Sequence, residues 1–486
     1  MTDSFAATLR LPRKDVLPAM LLGVAAALLA LRADWKLAVF VVALPLSLAG
    51  AWWIFGEPER WWIAFAAATL LLPPLPLDWG NTGPHIAVLI AGLGVWAGLL
   101  RFAEWQLPRL DDSLPAAALL FFAVLLLSAP LAFFYSGFSV AVGSLVRTLL
   151  LGISIYTYFA FAYGPFSHGT DSLTLLRRLY CLGAGAALIA CVDFYFQLSP
   201  PAGFGRQFVW LPEGVVRRAQ GFFYDAGVLG NLCAFFLVML ALAVLRPAVR
   251  PRLLSRKALL AGCALFPAAL LFSFSRSSLL NLTASLGIVA ILHQAELRLH
   301  RRRIALTLAA TAAGLLAAAL LFPGYAEVYM SRIWHTVFRG FIDPEGLLSG
   351  RLQTWRELWD FLFAHPWHLF FGIGFKTLPY TSFAGRPLIT DNMYLSILVE
   401  TGFAGLVAMM LFSAAILQTG FRAMRSTSPA ASFLGAWIFC FWIGQLFQML
   451  SVDVLTYWRV LPLYFAVLGL AVRETARAQA AAAREP

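Results

Sequence analysis

The sequence predicts an all-α polytopic membrane protein, a bundle of about 12 to 14 transmembrane helices with one long outward-facing loop. Two observations carry this. Of the 486 residues, 61% are hydrophobic and only 12% charged, whereas soluble domains average about half apolar and a quarter charged. The apolar runs also have helix length, since a span of the ~30 Å hydrocarbon core takes about 20 residues at ~1.5 Å each, and the ten-residue alternation of a membrane β-barrel is absent. Together they exclude a disordered chain and an ordinary water-soluble fold.

Apolar segments fall near 16–31, 37–55, 61–77, 86–100, 114–134, 140–163, 179–197, 226–245, 258–273, 277–293, 304–322, 390–417, 432–450 and 459–472. The first follows Arg10, Arg13 and Lys14 and lacks a small-residue cleavage site, so a retained span is expected. Cys181, Cys191, Cys233, Cys263 and Cys440 all lie in apolar runs, without metal-ligand spacing, and read as small packing residues. Threading every segment places both termini on one side. That side collects 22 of the 36 basic residues, including Arg246–Lys257 and Arg298–Arg303, and is cytoplasmic by the positive-inside rule. The net charge of +12 therefore speaks of topology and anionic membrane lipids, and no nucleic acid partner is called for.

The chain reads as one integral membrane domain, 1–486, with an outward loop at 323–389 and a shorter one at 198–225. The long loop is rich in Trp, Phe and Leu, so it is expected to be ordered and to carry short interfacial helices. In Arg351–Ala364 the residues Leu352, Trp355, Trp359 and Leu362 share a helical face, and His365-Pro366 ends the helix.

Fourteen basic residues remain on the outward side. Arg147 interrupts an apolar run and Arg276 lies between two spans; Arg206, Arg217 and Arg218 crowd the shorter loop beside Gly203, Gly205 and Gly214. A charge at membrane depth costs several kcal/mol, and arginine grips phosphate with a bidentate fork while staying charged. A converging set suits a ligand with a diphosphate at headgroup depth; the plainer alternative is snorkelling and helix-end salt bridges. Asp193, Asp225, Asp391, Glu400 and Asp453 are the acidic complement. There is no DxD motif, P-loop or GxSxG elbow, so neither a metal site nor a cofactor is expected. His335, His365 and His368, set among aromatics, fit packing better than catalysis.

Four outward pieces in order resemble the superfamily of O-antigen ligases and Wzy-type O-antigen polymerases. They are Arg218-Ala-Gln220-Gly221-Phe222-Phe-Tyr-Asp225; Ser275-Arg276-Ser277; Gly350-Arg351-Leu-Gln-Thr-Trp355 leading to Gly372-Ile-Gly374; and Asp391-Asn392-Met-Tyr394-Leu395 followed by Glu400, Gly402 and Gly405. The resemblance covers roughly residues 200 to 410, and the first third is similar in hydropathy alone. It implies a metal-independent, inverting membrane glycosyltransferase in a bacterial inner membrane, with cytoplasmic termini and a periplasmic active site. The donor would be an undecaprenyl-diphosphate-linked oligosaccharide, and the acceptor a glycan or lipid A-core. Arg218 and Arg276 would stabilise the departing diphosphate, with Arg147, Arg217, Arg206, Gln220, Arg351, Asn392 and Tyr394 as candidate substrate-binding residues. The family's ligase pattern has a histidine where this chain has Asp391. A carboxylate can serve as the base that activates the acceptor hydroxyl, and Asp can equally cap the helix that follows. The departure favours a polymerase of O-antigen or exopolysaccharide repeat units over a lipid A-core ligase. A flippase for lipid-linked sugars is the alternative of another class. Its usual internal repeats and midplane charges are missing.

Overall fold

The computed structural model describes residues 58–75, 84–106, 113–164, 171–199, 207–211, 214–246, 249–299, 351–382 and 385–483, with isolated positions elsewhere. The expected segments at 16–31, 37–55 and most of 304–322 lie outside these residues, as do Arg206 and His335. The chain divides into two compact units, Met1–Ala64 and Phe65–Pro486. Of the first, residues 50 and 58–64 are described; the packing and the site below belong to the second.

The chain is an all-α integral membrane protein. Among the described residues, the helices that bear on the site are, in order, α1 (Pro58–Leu71), α2 (Ile86–Leu100), α3 (Ser113–Leu127), α4 (Ala129–Ser136), α5 (Phe138–Ala162) and α6 (Ser172–Phe196). There follow α7 (Ala226–Leu245), α8 (Arg256–Phe272), α9 (Arg276–Leu292), α10 (Arg351–Ala364), α11 (Pro366–Phe371), α12 (Met393–Met424), α13 (Pro429–Gln448) and α14 (Leu461–Ala482). Among the described residues, α3 with α4, α5, α6, α7, α12 and α13 make six stretches long and apolar enough to cross a membrane.

Helix α7 is apolar all round and is the most enclosed of these spans, packed between α8, α9, α6 and α13. Phe235 on α7 stacks on Trp437 of α13 at 4.2 Å between ring centres. Small residues let helices approach closely: a Cβ at Gly444 would collide with Ser285 and Asn281 of α9. Between the N-terminal parts of α7 and α9 and the C-terminal end of α13 lies a buried amide junction. Asn231 of α7 and Asn281 of α9 both donate to Gln445 and Gln448 of α13, at 2.6–2.8 Å.

Helix α12 is broken at Gly402, whose φ of +70° favours glycine. The break leaves the Glu400 carbonyl to accept from Ile373 N at 3.2 Å and Gly374 N at 2.8 Å. Backbone-to-backbone contact between Gly402 and Phe370 then presses α11 against α12. Helix α10 docks beside it through Leu358 and Leu362, which join Ile373, Leu378, Leu395 and Val399 in one apolar cluster. The buried face of α10 is thus Trp355, Leu358 and Leu362, while Trp359, expected on that face, is 42% exposed. The shorter loop holds an unexpected element, an antiparallel hairpin of β1 (Phe208–Leu211) and β2 (Gly214–Arg217) with Phe208 opposite Arg217.

Candidate functional site

The C-terminal ends of α6, α8 and α13 meet the N-terminal ends of α7, α9, α12 and α14 at one end of the bundle, and the sequence-singled residues gather there. At the end of α6, the Asp193 carboxylate forms an ion pair with Arg217 of β2, and both side chains are buried. Arg217 Nη2 also donates to Leu198 O at 2.6 Å, and Gln197 brackets the Arg217 backbone through its own amide. Asp193 further accepts from Gly221 N at 3.2 Å. Arg217 is thereby committed to holding the hairpin on α6. Gln220 is fully buried, its Nε2 bonded to Phe223 O at 3.3 Å.

Arg218 points elsewhere. It is half-buried, and its Nε donates to Ser273 O at 2.7 Å while Ala219 N pairs with Phe272 O. That places Arg218 against the turn that leads into Arg276. Phe274 in this turn has a φ of +50°, and Ser275 caps α9 by accepting from Ser278 N, so Arg276 stands exposed at the first helical position. The same turn touches α7, because Ser278 Oγ donates to Gly227 O at 3.3 Å. Asp225 caps α7 with its carboxylate on Gly227 N at 2.6 Å.

At the start of α12 the neighbours Asp391 and Asn392 divide two tasks. Asn392 is the cap, its Oδ1 accepting from Leu395 N at 3.1 Å. Asp391 sits one residue outside, at a φ of +45°, and its Oδ2 accepts from Arg351 Nε at 3.0 Å. Its side chain is 41% exposed. Of the two readings left open for Asp391, capping therefore falls to Asn392. Trp355 Nε1 donates to Thr390 O at 2.7 Å and fastens α10 to the same turn. Tyr394 is anchored by donating to Leu446 O at 2.9 Å, and Met393 N pairs with Met449 O.

A third group lies beside these and was not singled out as a site. Lys376, at a φ of +56°, forms ion pairs with Asp453 and with Glu400 at 3.8 Å, and donates to Ser396 Oγ at 3.4 Å. Burial lowers its ammonium pKa, and Glu400 works against that. Arg147 is drawn in here: its guanidinium lies 4.2 Å above the Tyr380 ring and reaches Lys376 O at 3.5 Å. Arg459, a further cation at this end of the bundle, is buried. Its Nε donates to Thr69 O at 2.7 Å and its Nη2 to Leu72 O at 2.8 Å, while its Nη1 donates to Phe222 O. His368 is a packing residue, stacked on Phe361 at 5.4 Å with Nδ1 near Gly372 O.

Tyr457 and Asp225 thus both lie against Gly227, the turn that leads into Arg276 packs on Gly227 through Ser278, and the charges of Asp225, Arg218 and Asp391 act on Tyr457. Arg147 belongs to the Lys376 group, and Arg217, Gln220 and Asn392 have local structural partners. The spacing from one half of each group to the other is too long for a sequence motif, which is why Lys376 and Tyr457 escaped notice.

Residues 259–410 match a family model described as O-antigen ligase. Over that stretch the match bears out the resemblance to the O-antigen ligase and Wzy-type superfamily. It takes in Arg276, Arg351, Asp391, Asn392 and Tyr394, and leaves Arg147, Arg217 and Arg218 outside. None of the curated proteins compared matches the chain.

Proposed function

We propose that this protein is a metal-independent, inverting membrane glycosyltransferase that polymerises O-antigen or exopolysaccharide repeat units on the periplasmic face of a bacterial inner membrane. The observation that supports it is the meeting of Arg218, the Arg276 turn and Asp391 at one end of the bundle. The donor is an undecaprenyl-diphosphate-linked oligosaccharide. Asp391, presented outside the helix cap and oriented by Arg351, takes the proton of an acceptor sugar hydroxyl. The hydroxyl oxygen bonds to the anomeric carbon from the face opposite the diphosphate, the bond from that carbon to the phosphate oxygen breaks, and the diphosphate departs with its electron pair. Arg218 and Arg276 offset the charge that builds on it, the task a divalent cation performs in other transferases.

The ligase reading rests on the description of the matching family, O-antigen ligase, in which the acceptor would be lipid A-core. Deleting the gene and analysing the glycans separates the possibilities. Single repeat units on the lipid indicate a polymerase, long chains stranded on the lipid diphosphate a ligase, and intermediates facing the cytoplasm a flippase. With purified protein, Arg218→Ala and Arg276→Ala are expected to abolish transfer with insertion intact. Full activity in both would remove the diphosphate role.

A further inference from the structure

Tyr457 lies in the short connection between α13 and α14, outside the stretch that matches the family model. Its side chain is buried, at 3% exposure, yet its hydroxyl has no hydrogen-bond partner among the described residues. Burying such a group unpaired costs about 1–3 kcal/mol, so an orphaned phenol needs a reason. Its position is specific. A Cβ at Gly227 would come within 2.7 Å of the hydroxyl oxygen and 3.1 Å of Asp225 Oδ1, so glycine at the first turn of α7 makes room for both. The Arg276 turn packs on that same helical turn through Ser278 and Gly227.

We propose that Tyr457 is a sugar-positioning residue whose hydroxyl donates a hydrogen bond to the acceptor sugar at the transfer site. This rests on the glycosyltransferase reading above. Burial keeps the phenol protonated far above its ordinary range, so it acts as a donor. Among the charges that act on it, the carboxylates of Asp225 and Asp391 outnumber the guanidinium of Arg218. Those carboxylates suit a neutral polyol, whose hydroxyls donate hydrogen bonds to them and accept one from the phenol.

The test is Tyr457→Phe in the full-length protein, which removes the oxygen and keeps the ring. The melting temperature should hold or rise. The kcat/KM for the acceptor should fall about 10- to 100-fold, with the KM for the lipid-linked donor within about twofold. Wild-type kinetics in the variant, a loss matched by a lower melting temperature, or a loss confined to the donor KM would each overturn the assignment. A wild-type protein that transfers no glycan overturns the transferase reading and this assignment with it. Transfer by the wild type at a rate the variant equals overturns this assignment alone.

Discussion

Arg351, at the first position of α10, holds the carboxylate of Asp391 through its Nε at 3.0 Å, and so joins the middle of the long loop to the start of α12. The pair leaves Asp391 partly exposed. The substitution Asp391→Asn should therefore lower glycan transfer by about 10²-fold or more, the usual share of a general base. Its thermal stability should barely change, because Asn tolerates the left-handed backbone and the helix keeps its own cap. Transfer rate and melting curve, taken on one preparation, give the comparison; an active variant would end the base assignment.

Asn392→Ala should show the opposite pattern. Losing the side-chain acceptor for Leu395 N costs about 0.5–2 kcal/mol. We expect a lower melting temperature with transfer retained at permissive temperature. Stability equal to wild type would mean that the cap contributes nothing.

Arg217→Ala strands the Asp193 carboxylate in a buried setting, and breaking such a pair costs about 3–5 kcal/mol. The variant should accumulate poorly and melt early. Arg218→Ala, one residue on, should stay folded and lose transfer. If the two variants had the same stability, the division of labour between these arginines would be wrong.

His85 caps α2 by accepting from Ala87 N at 3.1 Å on Nδ1, while Nε2–H donates to Leu72 O at 3.0 Å. Both nitrogens are satisfied in the neutral ring. Burial, then the positive charge of Arg459, lowers its pKa from 6.5 to about 4. Between these values the unfolded chain binds a proton that the folded chain refuses, so stability rises with pH. The contribution is full above pH 6.5 and disappears as pH falls through 4, up to about 3 kcal/mol. Wild-type melting temperature should decline from pH 7 to pH 5. His85→Asn, which can still cap, should flatten that decline, and an unchanged slope would point to other groups.

How much of this was readable beforehand depended on the range of the interaction. Helix α7 coincides with the apolar run 226–245, since a fully enclosed helix is apolar on every face. Arg276 stood out because a charge beside an apolar run is expensive, and Asp391 because it stands where the resembling family's ligase pattern has a histidine. The hairpin did not, because two four-residue stretches on either side of Pro212 look in sequence like any loop. Lys376 was hidden for a different reason. Its meaning lies in Glu400 and Asp453, which only the fold brings to it. The Arg351 helix was legible as a helix, but its buried face turned on Leu358, which packing on α12 decides.

The amide junction of Asn231, Asn281, Gln445 and Gln448 has one more implication. Its members are neutral across the whole biological pH range and carry no formal charge for an electric field to pull on. A salt-bridged foundation at the same depth would loosen whenever acid or a swing in transmembrane voltage altered its balance. Built from carboxamides, the junction about one turn and a half along α9 from Arg276 keeps its hydrogen bonds whatever the pH or voltage.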